Sequence, residues 1–143
     1  MKKGIDFIGV GVVFYCHDGN GNVLMNKRNS NCKDEHGNWD TGGGGLEFGE
    51  HVIDGLKREI EEEYKTEVMD FEFLGFRDVH RINNGIPTHW VALDFKVLVN
   101  KNKFGNGEPH KFDEVKWFKH NLWPSPLHSQ LPEFFEKYKE KLG

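Results

Sequence analysis

Cysteine is scarce in this chain of 143 residues: there are two, Cys16 and Cys32, too far apart for a metal-binding pair. Two cysteines without metal spacing or a secretion signal indicate free thiols in a reducing compartment and exclude a disulfide-built fold. No apolar run is long enough to cross a bilayer, and hydrophobic residues at 36% with charged residues at 29% exclude a disordered polar chain. Excess positive charge is also missing. Nineteen Lys and Arg against 23 Asp and Glu give a net charge of −4, which disfavours attraction to nucleic-acid polymers or anionic membranes. Internal repeats and linkers are absent, and the length fits one domain over residues 1–143.

The opening segment superficially imitates a secretory signal, with Lys2 and Lys3 before an apolar stretch. Asp6 interrupts it, no small-residue cleavage site follows, and Val10, Val12 and Phe14 alternate as a strand does, so it reads as mature structure of a cytoplasmic protein. Residues 5–16 and 22–28 read as a hairpin around Asp18, Gly19, Asn20 and Gly21. Residues 67–82 suit a long or bent strand, Asn84 and Gly85 mark a turn, and residues 89–99 form a further strand. After the loop Asn100 to Lys111 come a short strand around Val115, Trp117 and Phe118, then a closing helix from about Ser129 to Leu142 with Pro132 in its first turn. This order predicts a layered α/β or α+β domain.

What the chain does have is acid on one helix. Arg58 is followed by Glu59, Glu61, Glu62 and Glu63, shortly after a run of four glycines. Each like-charge pair at i,i+3 or i,i+4 costs roughly 0.2–0.5 kcal/mol, which a solvated face tolerates, so the charge run alone is uninformative. The geometry says more. With Leu56 at 0° and about 100° per residue, Val52, Ile53, Leu56, Ile60 and Tyr64 fall between about −40° and +80°. Glu63 at roughly −20° lies inside that apolar stripe and Glu59 at roughly −60° at its edge, where an unpaired carboxylate is costly to desolvate. Glu62 is placed for an i,i+4 ion pair with Arg58 that would orient it. Carboxylates converging at a core edge make a hard, all-oxygen site suited to Mg²⁺ or Mn²⁺ rather than zinc.

The spacing completes the pattern: Gly44, five residues, Glu50, seven residues, then Arg58, Glu59, Ile60, one residue, Glu62 and Glu63. That is the Nudix box, and the chain resembles the Nudix hydrolase family. The match is densest over Trp39, Gly43, Gly44, Glu47, Gly49, Glu50, Arg58, Glu59, Glu62 and Glu63. Gly9 to Val13 at one end, and Glu108, Pro109 and Glu114 to Phe118 at the other, are similar to small MutT-type nucleotide pyrophosphatases.

The resemblance implies a mixed β-sheet sandwiched between helices and a hydrolase that uses a divalent metal to cleave a nucleoside diphosphate from another group. By position, Glu59, Glu62 and Glu63 would hold the metal, with a backbone carbonyl at Gly43 or Gly44, while Glu50 and Arg58 would support the geometry. The identity of the general base stays open. The lack of a second domain and the resemblance of the ends to small MutT-type enzymes favour a nucleoside triphosphate or modified nucleotide as substrate. ADP-ribose and sugar nucleotides are the rival substrates, and a nucleotide-binding sensor without turnover is the rival class. A homodimer is compatible with the pattern.

The chain departs from the box in two places. Lys65 stands where a glycine is usual, and Thr41 with Gly42 replace an aliphatic residue and proline, which predicts a more flexible loop ahead of the box. Glu108 and Glu114 lie in or after a loop where the family often places a further acid. Trp117, Phe118 and Phe48 are the candidates for holding a base, since aromatic faces stack bases, although alternation allows only one of Trp117 and Phe118 to face inward. The eight histidines show no metal spacing and read as structural or surface residues.

Overall fold

The computed structural model describes residues 1–143. In chain order it holds strands β1 (Gly9–His17), β2 (Asn22–Arg28), β3 (Trp39–Asp40) and β4 (Gly43–Gly45), then helix α1 (Val52–Tyr64). Strands β5 (Asp70–Asn83), β6 (Ile86–Leu98) and β7 (Phe112–Lys119) follow, and α2 (Leu131–Lys137) and α3 (Lys139–Leu142) close the chain. The sheet runs β3-β2-β1-β6-β5, with β4 added to β1 and β7 to β2; β1 and β6 are parallel and every other pair is antiparallel. No helix is long and apolar enough to cross a membrane. Cys16 and Cys32 are unpaired and buried.

Both faces of the sheet are covered. On one, Val12, Phe14 and Cys16 of β1 pack with Leu56, Ile60 and Tyr64 of α1. On the other, Tyr15 packs with Leu131, Phe134, Tyr138 and Leu142 from α2, α3 and the residue between them. Neighbouring side chains on a strand point to opposite faces, so a doubly covered strand is apolar at consecutive positions. The same geometry corrects the expectation for Trp117 and Phe118: both point inward, Trp117 against the first core and Phe118 against the second.

The expected hairpin is mostly splayed. Residues 5–8 lie outside β1, and β1 pairs with β2 only at His17↔Val23. Asp18 closes the turn by accepting from the N–H groups of Asn20 at 2.8 Å and Asn22 at 3.1 Å. Beyond the turn the hydrogen-bonding edges of β1 are taken by β6 and by the glycines of β4, so β2 pairs instead with β7 and β3. Strand β5 is long and bent as expected. Its register slips between Phe73 and Gly75, a bulge that leaves Leu74 unpaired across the ladder and buries it in the second core.

The closing helix is two short helices divided at Tyr138 (φ −112°, ψ 17°). Tyr138 is drawn into the core, where its hydroxyl donates to Asp94 at 2.7 Å. Asp94 also receives a two-pronged contact from Arg77 at 2.7 and 2.9 Å, a buried pair that the strand patterns did not announce.

Lys65 ends α1 in the left-handed region (φ 51°, ψ 44°), with its N–H donating to the Glu61 carbonyl at 3.0 Å. An L residue pays on the order of 1 kcal/mol there that glycine does not. Because Lys65 is exposed, Lys65→Gly is expected to raise unfolding stability by up to about that amount. Urea denaturation checks this, and a loss of stability would mean that the lysine side chain outweighs the backbone cost.

Candidate active site

The glycine run exists to let α1 approach the sheet. Strand β4 lies antiparallel to β1, with Gly43 opposite Val13 and Gly44 opposite Val12. A Cβ on Gly44 would fall 2.1 Å from the carboxyl carbon of Glu59, and one on Gly43 would fall 2.6 Å from the Val12 carbonyl oxygen. Gly42 adopts φ +114°, which proline cannot, and a Cβ there would meet the Phe14 ring at 2.3 Å. The loop ahead of the box is therefore anchored rather than loose. Thr41 is fully buried, its carbonyl accepts from the Tyr64 hydroxyl at 2.7 Å, and the Gly42 carbonyl accepts from the Phe14 N–H at 3.1 Å.

Arg58 ties the loop to the helix. Its guanidinium grips Glu50 with two contacts, at 2.7 and 3.0 Å, and donates to Glu59 at 2.8 Å and to the Gly45 carbonyl at 3.1 Å. The i,i+4 contact with Glu62 is longer, 3.3 Å, and Glu62 stays half exposed, so Arg58 orients Glu50 and Glu59 first. Hydrogen bonding from Arg58, helped by the Glu47 N–H, holds the Glu50 carboxyl down at about 2. The same partnership raises the Arg58 pKa.

Glu59 and Glu63 sit in the opposite situation. They are 9% and 5% exposed, as the helix geometry predicted for acids at the edge of and within the apolar stripe. Burial raises the Glu59 pKa against the lowering pull of Arg58, and the charges of Glu62 and Glu108 add to the rise. Burial pushes Glu63 up much further, and Asp40, Glu59 and Glu108 reinforce it. Its one hydrogen bond is a long 3.4 Å contact from the Gly43 N–H, and no basic side chain pairs with it. A buried carboxylate with that surrounding stays ionised only if a cation comes to it.

Two acids complete the cluster. Glu108 reaches it because the loop after β6 folds onto the end of α1: the Gly105 and Gly107 N–H groups donate to the Tyr64 and Glu63 carbonyls at 2.8 and 2.9 Å. A Cβ on Gly107 would lie 1.9 Å from the Glu62 carbonyl oxygen, so glycine is needed for that approach. Glu108 then shares an open groove with Glu62, Lys65, His110 and Lys111. Glu114 instead faces solvent and pairs with Lys116 at 2.9 Å. Asp40, which sequence reasoning missed, is placed by β3 pairing with β2, where it stands opposite Asn26. Its position two residues ahead of the glycine run was the available signal.

The three aromatic candidates are not brought together. Trp117 makes an edge contact with Phe104 at 5.9 Å and Phe118 one with Trp39 at 5.0 Å, on opposite faces of the sheet. Phe48 is fully exposed in the loop before α1. Three buried polar atoms on these elements have no partner: Asn26 Oδ1, Thr41 Oγ1 and the Trp117 indole N–H; Asn26 Nδ2 donates to the Tyr64 hydroxyl at 3.0 Å.

A mixed sheet covered on both faces, with an acid-bearing helix seated on a glycine strand, defines a hydrolase of the Nudix type. The NUDIX domain family model matches residues 7–138, and the chain belongs to the Nudix family, whose hydrolases cleave pyrophosphate bonds. Among solved structures, the chain is similar to a MutT NUDIX hydrolase from Burkholderia pseudomallei, at 26% identity and a TM-score of 0.80, covering 92% of this chain and 98% of that one. It shares its fold with a MutT protein from Methanosarcina mazei (20% identity, TM-score 0.77, 94% of each chain). A mutator MutT protein from Bacillus halodurans is similar as well (22% identity, TM-score 0.70, 90% of this chain and 80% of that one). No curated protein matches the chain.

Proposed function

We propose that this chain is a divalent-metal-dependent pyrophosphohydrolase acting on a nucleoside triphosphate or modified nucleotide, as one catalytic domain over residues 1–143. The observation that carries the reading is Glu63, a buried carboxylate facing other acids with no cation of the protein's own beside it. The donor set fits a hard ion: carboxylates and backbone carbonyls, no sulfur and no imidazole. Glu59, Glu62 and Glu63 would hold Mg²⁺ or Mn²⁺, with a carbonyl of Gly43 or Gly44 completing the shell. A bound ion supplies neutralisation of phosphate charge, polarisation of the phosphoryl group and a lower pKa for water.

The remaining work falls to the chain. Arg58 fixes the Glu59 carboxylate and, through Glu50, the loop that carries the glycines. Glu108 and Asp40 add negative charge that strengthens the call for a cation. Lys65 and Lys111, on the rim of the Glu62 and Glu108 groove, offer positive charge to a polyphosphate.

A panel of nucleoside triphosphates, modified nucleotides, ADP-ribose and sugar nucleotides, assayed for phosphate or pyrophosphate release with Mg²⁺, tests the reading. Turnover of a triphosphate or modified nucleotide is expected. Preference for ADP-ribose or a sugar nucleotide would move the substrate class, and binding without turnover of any member would make the chain a sensor.

Gly44→Ala probes the glycine strand. The new Cβ collides with the end of the Glu59 side chain, a flexible group that swings aside. The fold is therefore expected to survive while Mg²⁺ affinity and turnover both fall. A Mn²⁺ titration beside a thermal melt checks this, and an unchanged titration would remove Glu59 from the metal site.

A further inference from the structure

The β5–β6 hairpin carries a cluster that the box leaves unused. His80 and His89 are direct cross-strand partners, and Asp78 stands two residues before His80, opposite Val91. Strand alternation puts all three side chains on one face. The two imidazoles stack with centroids 4.0 Å apart and planes 28° apart, and His89 Nε2 lies 3.3 Å from Asp78 Oδ1. One ligand atom from each residue lies within 4.8 Å of the others. Asp78 has no lysine or arginine partner. The arginines that flank it in sequence are engaged elsewhere, Arg77 with Asp94 and Arg81 with Asp34 and Glu35.

We propose that Asp78, His80 and His89 form a binding site for a divalent transition-metal ion of the zinc class, separate from the Nudix box. Two neutral imidazoles and one carboxylate make a mixed nitrogen and oxygen donor set. Such a set selects Zn²⁺ and its neighbours over Mg²⁺, which the all-oxygen box favours. Bond lengths of about 2.0–2.2 Å require the three donors to close up slightly around the ion, which rotation about the side-chain torsions of the exposed Asp78 and His80 and the half-buried His89 supplies. Three protein ligands leave a position for water or for an incoming ligand atom. Because the donors come from both strands, the ion clamps the hairpin across its ladder.

The test uses tag-free protein dialysed against low-micromolar Zn²⁺ with excess Mg²⁺ present, followed by metal analysis, with Co²⁺ absorption as a reporter of coordination. Wild type is expected to hold one equivalent of Zn²⁺, and so is the box variant Glu59→Gln, Glu63→Gln. The double variant His80→Phe, His89→Phe keeps a stacked aromatic pair and removes both nitrogens. It is expected to bind Zn²⁺ at least tenfold more weakly, with its melting temperature in EDTA and its Mg²⁺-dependent turnover unchanged. Asp78→Asn is expected to weaken binding in the same direction. Zinc that stays with the Phe double variant, zinc lost only from the box variant, or no bound zinc in wild type would each overturn the proposal.

Discussion

Glu63→Gln is expected to lower Mg²⁺-dependent turnover by more than about 100-fold, because even residues that only support a metal ligand cost 10–100-fold when changed. The fold should not suffer. Glutamine keeps the size of the side chain, can still accept from the Gly43 N–H, and removes a charge that burial and three neighbouring acids oppose. The same variant has a pH signature. With its pKa raised in the folded state, Glu63 binds its proton more tightly folded than unfolded. Metal-free wild type therefore loses stability as pH rises from the ordinary carboxylate range towards the folded pKa. Glu63→Gln flattens that slope. Urea denaturation without metal at pH 5 and pH 8, beside steady-state assays with Mg²⁺, measures both. Near wild-type turnover would remove Glu63 from the chemistry, and an unaltered slope would place the titrating group elsewhere.

The acids of α1 were legible because they break a local rule: Glu63 lies in an apolar stripe, and a helix read from its own period exposes that conflict without tertiary information. Arg58 was legible as a partner but not as a hub, since its grip on Glu50 depends on a loop that returns across the helix. Asp40 and Glu108 join the cluster only through a strand pairing and a loop closure distant in sequence, which periodicity cannot report. The partial burial of both Trp117 and Phe118 follows from helices on both faces of the sheet, again a non-local fact. His80 and His89 are a different case. A two-residue turn at Asn84 and Gly85, both with positive φ, fixes the hairpin register so that position 80 must face position 89. Histidine spacing along the chain hid a pair that counting outward from the turn reveals.

Millimolar Mg²⁺ is expected to raise the melting temperature of wild type. An ion that binds only the folded state stabilises it by mass action, about 1.4 kcal/mol at ten times its dissociation constant. For a chain of this size that is a rise of about 4 °C. The source is the acid cluster: burial first, and then the charges of neighbouring acids, raise the Glu59 and Glu63 pKa values, and a bound cation offsets both. Two consequences separate this from general salt screening. The double variant Glu59→Gln, Glu63→Gln should melt higher than wild type without metal and respond far less to Mg²⁺, because both the repulsion and the ligand charge are gone. The Mg²⁺ shift in wild type should also shrink as pH falls from 8 to 5.5, since protons then compete for the same oxygens. Thermal melts of both proteins across those conditions decide the matter. An equal rise in wild type and the double variant would locate the cation away from α1, and the assignment of these glutamates as its ligands would fall with it.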